Sequence, residues 1–558
     1  MTRLFLFVAA AAGCADTSAI LDPDRAALVT ITPALPTAQA FGNGPTLTAS
    51  ATGPTGLPLP DKQFTWSSSS PAVASVAPGG AATAASVVPV VSANGSTIIT
   101  ATADGVSGTV TLIVSQAVSA VSVSPTGPLI GYTGQVFQAA ASLRDANGFP
   151  VTGRTVSWTS SAPGVATVSS GGAISIAAPG TTTLTARADN ATGVIALRTR
   201  TGPIYLEKVS AGDAHTCGIG TDGHSFCWGA NAAGQLGSGG SAAPVPSPIE
   251  VVDVAAYEMV SVGAGHACAT TSLFARCWGS NVSGAIGTGS RGGSAGTPSL
   301  VGAPVDFIAI AAGDEHTCAL SQGHAAWCWG NNPFGQIGVA SATASGVNSA
   351  TAVSGGILFT AIDAGGGHTC AVAGPTYCWG RNVAGEVGDG TTTNRNQPAV
   401  VTGGHAFADV STGGHHSCAI KATGEVFCWG LNDLGQLGDG TTTNRSAPVR
   451  AANGILFFSV SAGANHTCGV SRSGGVVHCW GDNASGQLGN NSTTSSSSPV
   501  AVSSSVAFDA VSAGGRHTCG LSAIGSVYCW GRNVEGQLGD VTTANRTIPT
   551  LVFGSRSN

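Results

Sequence analysis

Short alternations of β-branched and polar residues recur along most of the chain. Residues 29–31 (Val-Thr-Ile) and 109–114 (Thr-Val-Thr-Leu-Ile-Val) show this alternation, and Gly, Pro and Asn separate such runs. A period of two places apolar side chains on one face of a strand. Gly is costly inside helices and supplies 81 of the 558 residues, so long helices are not expected. The predicted fold class is therefore all-β.

A tryptophan-centred motif occurs twice in the first 200 residues. Residues 64–76 (Phe-Thr-Trp-Ser-Ser-Ser-Ser-Pro-Ala-Val-Ala-Ser-Val) match residues 156–168 (Val-Ser-Trp-Thr-Ser-Ser-Ala-Pro-Gly-Val-Ala-Thr-Val). Trp66 and Trp158 are 92 positions apart, close to the roughly 100 residues of an Ig-like sandwich. We interpret both as core anchors rather than ligand-stacking rings, because a buried Trp contributes a large apolar area.

This repeated motif resembles the bacterial Ig-like group 2 family, which is common in surface proteins. The resemblance implies two Ig-like β-sandwiches, which we place at residues 28–115 and 117–200. The physical role it implies is a stalk that holds the following domain away from a membrane.

From about residue 205 onward, a second pattern occurs seven times. In its first copy, residues 212–217 (Gly-Asp-Ala-His-Thr-Cys) precede residues 227–237 (Cys-Trp-Gly-Ala-Asn-Ala-Ala-Gly-Gln-Leu-Gly), and successive copies are 48 to 52 residues apart. A period of about 40–50 residues with strand-like content indicates propeller blades of four strands each. An asymmetric active site would not need seven copies, so we expect the repeated His to make structural hydrogen bonds and the repeated Trp to pack between blades. These residues are His215, His266, His316, His368, His416, His466 and His517, with Trp228, Trp278, Trp329, Trp379, Trp429, Trp480 and Trp530.

The pattern Gly-x-x-His-Thr-Cys followed by Cys-Trp-Gly-x-Asn-x-x-Gly-Gln-Leu-Gly resembles the regulator of chromosome condensation repeat. Members of that family form seven-bladed propellers, so the resemblance implies one closed ring, which we place at residues 204–556. We expect the first segment, 205–209, and the last segment, 548–553, to share one blade. Sharing a blade would close the ring and remove an exposed strand edge.

The cysteines predict one disulfide in each blade. The chain has 15 Cys, and setting Cys14 aside leaves two per repeat, separated by 8 to 11 residues as in a hairpin with a variable turn. Opposed residues of such a hairpin lie near disulfide distance. A His-Cys metal site is the alternative, but it lacks a fourth ligand and the Cys-x-x-Cys spacing, so no metal or other cofactor is predicted. The expected pairs are Cys217–Cys227, Cys268–Cys277, Cys318–Cys328, Cys370–Cys378, Cys418–Cys428, Cys468–Cys479 and Cys519–Cys529.

The N-terminus predicts export. A positive Met-Thr-Arg start, an apolar run over residues 4–12 and Gly13-Cys14 have the layout of a signal peptide over residues 1–14, too short for a permanent membrane helix. Residues 11–14 resemble the lipobox of bacterial lipoproteins, which implies cleavage before Cys14 and its acylation, with residues 15–27 as a tether; an ordinary cleaved signal is the alternative. We expect an outer-membrane or cell-surface lipoprotein, otherwise a periplasmic or secreted protein, with no other membrane attachment.

Composition narrows the classes of partner. Only 9% of residues are charged and the net charge is −6, which argues against nucleic-acid binding because such proteins carry a basic patch. Paired cysteines suit an oxidising compartment. We expect a monomer whose partner is a protein or a glycan at the cell surface.

Positions that differ between repeats are the candidates for recognition, because variable loops on a rigid scaffold commonly carry binding. Neutral drift on a solvated surface is the alternative for these positions. The candidate partner-binding residues are Asp213, Asp314, Glu315, His415, Arg516, Arg381, Arg532, Phe334 and Leu434.

The sequence leaves three functions open. No nucleophile elbow, phosphate loop or His-Glu-x-x-His motif is present, and no catalytic residue is assigned. Our main interpretation is a non-enzymatic surface or periplasmic module whose propeller binds a protein or glycan. The second is a lyase or hydrolase at the central channel, favoured by non-repeated acids or bases at a channel mouth and opposed by a lining of repeated small residues alone. The third is guanine-nucleotide exchange with chromatin binding, which the family resemblance implies and which export opposes.

Overall fold

The structure, a computed structural model, describes residues 22–76, 86–125, 128–239, 242–253, 255–340, 346–451 and 454–556. Every regular element in these ranges is a β-strand, so the all-β prediction is confirmed. The same ranges contain no helix long and apolar enough to cross a membrane. Cys14, the predicted signal peptide and most of the predicted tether lie outside the described residues.

The described chain forms two compact units. One comprises the described parts of 1–122, 141–157 and 186–193, and the other those of 123–140, 158–185 and 194–558. All residues of the predicted propeller belong to the second unit.

The N-terminal 200 residues contain two sets of sheets with related strand orders. The sheet β2-β10-β9-β5 of the first set has the same arrangement as the sheet β12-β19-β18-β15 of the second, and each of these sheets begins with a parallel pair. Trp66 packs against an apolar core that includes the fully buried Leu47, Ile99 and Leu112. The remaining sheets are β1-β4-β7, β3-β8-β6, β11-β14 and β13-β17-β16. The strands are β1 (Leu28–Thr32), β2 (Thr37–Ala38), β3 (Gly42–Asn43), β4 (Leu47–Thr52), β5 (Thr65–Ser68), β6 (Ala74–Ser75), β7 (Ser86–Val87), β8 (Val90–Val91), β9 (Gly95–Ala103), β10 (Val106–Val114), β11 (Ala120–Ser124), β12 (Leu129–Tyr132), β13 (Val136–Gln138), β14 (Ala140–Arg144), β15 (Ser157–Ser160), β16 (Ala166–Val168), β17 (Ala173–Ile176), β18 (Gly180–Ala188) and β19 (Ala191–Arg200).

The rest of the described chain forms seven four-stranded antiparallel sheets, each made of four consecutive strands. We call these sheets blades 1 to 7 and their strands A, B, C and D in chain order. Their bounds are β20 (Leu206–Ala211), β21 (His215–Gly220), β22 (Ser225–Gly229) and β23 (Val245–Glu250) in blade 1; β24 (Met259–Val262), β25 (His266–Thr270), β26 (Ala275–Ser280) and β27 (Ser294–Leu300) in blade 2; β28 (Phe307–Ala312), β29 (His316–Ser321), β30 (Ala326–Gly330) and β31 (Val347–Ala352) in blade 3; β32 (Ala361–Ala364), β33 (His368–Val372), β34 (Thr376–Gly380) and β35 (Arg395–Val400) in blade 4; β36 (Asp409–Thr412), β37 (His416–Ile420), β38 (Val426–Gly430) and β39 (Arg445–Arg450) in blade 5; β40 (Phe457–Ala462), β41 (His466–Ser471), β42 (Val477–Gly481) and β43 (Ser496–Ala501) in blade 6; and β44 (Phe508–Ala513), β45 (His517–Ser522), β46 (Val527–Gly531) and β47 (Arg546–Leu551) in blade 7.

The terminal segments of the propeller do not share a blade, so that prediction was wrong. Strand β20 belongs to blade 1 and strand β47 to blade 7, because each sequence repeat supplies its four strands in order from A to D. The ring is closed by contacts between whole blades: the amide of Ala211 in blade 1 donates to Ser512 Oγ of blade 7 at 2.9 Å.

Each blade carries one disulfide between strands B and C, as the cysteine spacing predicts. In blade 1 Cys217 is directly opposite Cys227 in the strand register, and the other six pairs are opposed in the same way. The Cα atoms of the bridged pairs are 4.0 to 4.1 Å apart. All 14 bridged cysteines are fully buried.

The apolar cores of the propeller lie between consecutive blades. In the core between blades 5 and 6, the disulfide of Cys418 and Cys428 packs with Phe457 and Trp480 of the following blade. The last core joins the disulfide of blade 7 to Trp228 of blade 1, which completes the ring. Burying a Trp ring at every interface stabilises the association of blades that could not bury one face alone.

Candidate functional site

A repeated hydrogen-bonding unit joins each blade to the next. At the junction of blades 7 and 1, the carbonyl of Gln537 accepts from Trp228 Nε1 at 2.9 Å and from Thr216 Oγ1 at 3.0 Å. The same hydroxyl lies 2.8 Å from His517 Nε2. The structure thus places the repeated Trp and His in the packing and hydrogen bonding between blades.

The geometry of this unit fixes the tautomer of the histidine. A hydroxyl has one hydrogen, and Thr216 donates it to the carbonyl of Gln537. His517 must therefore donate through Nε2–H, which leaves Nδ1 without a proton. The same arrangement recurs at the junctions whose His–hydroxyl pairs are His266–Thr317, His316–Thr369, His368–Ser417, His416–Thr467 and His466–Thr518.

The junction of blades 1 and 2 lacks this bond. Trp278 Nε1 still donates to the carbonyl of Gln235, at 3.0 Å. Ala267, however, occupies the position where the other blades carry Thr or Ser. His215 Nε2 is consequently buried without a hydrogen-bond partner, and its Nδ1 is unpartnered too, as it is in five of the other repeated histidines.

Burial keeps the seven repeated histidines neutral. It lowers the pKa of His215, with a smaller contribution from His266, to about 3. Burial alone lowers the pKa of His266 to about 4, and the other five histidines have pKa values of about 3 to 4 for the same main reason. Neutral, enclosed imidazoles suit a structural role rather than proton transfer near neutral pH.

The candidate partner-binding residues all lie on one face of the propeller. Because strands alternate in direction, the A–B turns and the C–D loops emerge together; in blade 1 these are residues 212–214 and the described parts of 230–244. We call this surface the AB–CD face. Asp213, Asp314, Glu315, His415 and Arg516 are in its A–B turns, and Phe334, Arg381, Leu434 and Arg532 are in its C–D loops.

The centre of the AB–CD face is the mouth of the central channel, a cavity of about 260 Å³. Its lining consists of small Gly, Ala, Val and Thr residues together with Asp213 and Asp314. Asp314 is exposed to the channel, but the channel walls surround it and partly remove it from water. This loss of hydration is the main cause that raises the pKa of Asp314 to about 6, and the negative charges of Asp213 and Glu315 contribute less. The mouth therefore combines a repeated small-residue lining with two non-repeated acids.

A charged cluster spans blades 4 and 5 on the same face. Arg381 forms an ion pair with Glu386, whose side chain is fully buried, and its Nη1 lies 2.9 Å from His415 Nδ1. Burial, followed by the neighbouring Arg381, lowers the pKa of His415. Glu386 occupies the position of Gln in most repeats, and only alignment of the repeats against one another would have singled it out.

The apolar candidates and the remaining arginines are accessible. Phe334 is 37% exposed and Leu434 36% exposed, and the Phe334 ring lies against Gly367 of the next blade. Arg516 is exposed, while Arg532 pairs with Glu535 at 3.1 Å. The face thus offers accessible apolar groups in blades 3 and 5 and arginines in blade 7, residue types that are enriched at partner-binding surfaces.

Three other arginines stand where C–D loops end, each as the first residue of strand D. Arg395, Arg445 and Arg546 pair with Asp389, Asp439 and Asp540 of the same loop at 2.6, 2.8 and 2.6 Å. Each Asp also accepts from the hydroxyl of a following Thr at 2.7 Å. These arginines therefore hold their loops rather than reach outward.

The strand order and the repeated cysteine pairs together define a disulfide-braced seven-bladed propeller. The chain belongs to the RCC1-like domain family, whose model matches residues 277–557, and the regulator of chromosome condensation (RCC1) repeat matches residues 207–235 and 222–270.

Solved structures support this fold. Human WBSCR16 is 21% identical with a TM-score of 0.54, covering 59% of this chain and 93% of that one. Yeast RCC1 (Prp20), solved with Kap60 bound, is 19% identical with a TM-score of 0.53, covering 62% of this chain and 85% of that one. At this level of identity the likeness concerns the fold.

Proposed function

We propose that this chain is an exported interaction protein whose propeller binds a protein partner through the AB–CD face. The observation that carries the proposal is that the A–B turns and C–D loops of the AB–CD face carry charged and apolar side chains that differ from blade to blade, on a scaffold whose interior repeats seven times. A similar propeller, yeast RCC1, was solved with Kap60 bound, and Prp20p was examined for binding to Gsp1p and histones. Protein recognition by this fold supports the same role here.

The proposed topology has three parts. A lipid on Cys14 attaches the chain to a membrane surface, two Ig-like domains at residues 28–115 and 117–200 form the stalk, and the propeller presents its face to a partner. The seven buried disulfides support an oxidising location. Mass spectrometry of the mature N-terminus tests the anchor: a diacylated or triacylated Cys14 is expected, and an unmodified chain starting elsewhere would contradict it.

The binding proposal is tested by saturable binding of the oxidised full chain to proteins of its own cell surface. Arg516→Ala removes an exposed cation from the AB–CD face, and Arg450→Ala, at the far end of a D strand, is the matched control. We expect Arg516→Ala to weaken binding by about tenfold, the effect of about 1.4 kcal/mol, and Arg450→Ala to leave it unchanged. Equal effects, or a partner that is a glycan alone, would contradict the proposal.

A further inference from the structure

At most blade junctions, a polar side chain of the C–D loop fills the same position beneath the AB–CD face. The Gln or Glu of the C–D loop occupies it in six blades, namely Gln235, Gln336, Glu386, Gln436, Gln487 and Gln537. These side chains are buried, and each carbonyl or carboxylate oxygen accepts the backbone amide two residues earlier. The packing of the loop thus includes a polar plug at these junctions.

Blade 2 carries Ala285 at the plug position. A cavity of about 270 Å³ lies there, lined by Ser280, Ser283 and Ala285 of the blade 2 loop and by Asp314 and Glu315 of blade 3. We call it the 2–3 pocket. Its volume is just below the roughly 300–1,000 Å³ of small-molecule sites, which suits a single side chain.

The junction of blades 4 and 5 shows which group fits such a position. Arg381 there contacts the buried Glu386 of its own loop and His415 of the next blade. In the 2–3 pocket, Ser280 replaces Arg381, Ala285 replaces Glu386 and Glu315 replaces His415. The pocket therefore lacks the guanidinium while its far wall has become acidic.

The charges of the 2–3 pocket favour a cation. Glu315 and Asp314 both line the pocket, and Asn331 Nδ2 donates to Glu315 Oε2 at 2.5 Å, which orients that carboxylate. Asp314 adds a second negative charge nearby, although its Oδ2 lies toward Gly366 of blade 4. His266, which also lines the pocket, is neutral because it is buried. None of the described lining residues is Lys or Arg. A planar guanidinium can bond both oxygens of one carboxylate through two parallel N–H groups, whereas an ammonium acts as a compact point charge without that matched geometry.

We propose that the 2–3 pocket receives an arginine side chain of the protein that binds the AB–CD face. This assignment rests on the function proposed above and identifies one anchor of that partner. Arginine is common among the few side chains that contribute most of the binding energy of protein interfaces, and its contribution is large where it is desolvated in a pocket. The inserted guanidinium would pair with Glu315 near the charge of Asp314, as Arg381 pairs with Glu386 two junctions further round the ring.

The test uses N-acetyl-arginine methylamide as the probe and ligand-observed NMR on the oxidised full chain. N-acetyl-citrulline methylamide is the neutral isostere, and the lysine analogue tests whether charge alone suffices. We expect saturable binding of the arginine probe, at least about tenfold weaker binding of citrulline, as for the loss of one charged contact of about 1.4 kcal/mol, and weaker binding of lysine. No saturable binding of the arginine probe, or equal binding of either analogue, would overturn the assignment.

Two variants locate the binding. Ala285→Gln restores the plug of the other blades, and the double variant Ser280→Arg/Ala285→Glu installs the arrangement of blades 4 and 5; both should abolish probe binding. Asp433→Asn removes an acid from another loop of the same face, where it accepts from Gln436, and should leave binding unchanged. Retained probe binding in both pocket variants would overturn the proposal. If the arginine probe does not bind but a protein partner is found whose binding depends on Arg516, only the pocket assignment is refuted. If partner binding does not depend on Arg516, the proposed function itself is refuted.

Discussion

Restoring a hydroxyl at position 267 should stabilise the propeller. At six junctions the hydroxyl accepts from a His Nε2 at 2.8 to 2.9 Å and donates to a carbonyl at 2.8 to 3.0 Å. Ala267→Thr would offer the same two bonds to His215 and to the carbonyl of Gln235, which already accepts from Trp278.

The magnitude follows from the two bonds gained. A typical net contribution is about 1 kcal/mol for each, and His215 also gains a partner for a buried donor whose isolation is unfavourable by about 1–3 kcal/mol. Insertion of two heavy atoms beside the fully buried Ala267 opposes this gain. We therefore expect the free energy of unfolding to rise by about 1–2 kcal/mol.

Urea unfolding of the oxidised protein measures the change as a shift of the midpoint at constant slope. Ala267→Val is the matched control, because Val has the shape of Thr without its hydroxyl, and it should be neutral or destabilising. The reverse substitution, Thr369→Ala, should lower the free energy of unfolding by about 1–3 kcal/mol. If Val stabilises as much as Thr, the hydrogen-bonding explanation is refuted and the junction is merely underpacked.

Two further predictions follow from buried charge. Burial lowers the pKa of the seven repeated histidines to about 3 to 4, from a value near 6.5 in the unfolded chain. The free energy of unfolding should therefore be highest above pH 6.5 and fall as the pH drops toward 4, by up to about 1.4 kcal/mol per pH unit for each histidine. The raised pKa values of Asp314 and Asp363, about 6, oppose this fall over the same range, and urea midpoints that do not change between pH 7 and 5 would contradict the prediction. Arg381→Ala leaves Glu386 buried without its cation and should lower the free energy of unfolding by about 2–4 kcal/mol in the same urea assay. Adding Glu386→Gln to this variant should recover most of that loss. A double variant as unstable as the single one would show that the ion pair is not the cause.

Features that depend on one repeat were predictable from the sequence. The seven Cys pairs follow from hairpin register, because the motifs on both sides of each pair are constant while only the turn between them changes length. The position of the candidate residues on one face follows likewise, since Asp314 and Arg381 fall in an A–B turn and a C–D loop, and alternating strands bring those connections together.

Features that depend on two neighbouring blades were not predictable in the same way. The bond from His517 to Thr216 joins residues 301 positions apart, and no pattern within a repeat specifies which blade receives it. The error about the terminal strands has the same origin: the sequence shows where repeats recur, but the starting strand of a blade depends on which hydrogen bonds form a sheet.

The exceptions at blade junctions show why alignment of the repeats is more informative than any single motif. Ala267 and Ala285 are unremarkable small residues within their own segments, and each gains meaning only against six polar equivalents. Both lie in blade 2, where one substitution removes the bond to His215 in blade 1 and the other opens the pocket toward Glu315 in blade 3. A structural role alone would select the hydroxyl and the plug at all seven junctions, because each adds buried hydrogen bonds. The guest side chain proposed for the 2–3 pocket accounts for Ala285, which lines that pocket, whereas Ala267 lies outside its lining and nothing in the structure explains the missing hydroxyl there.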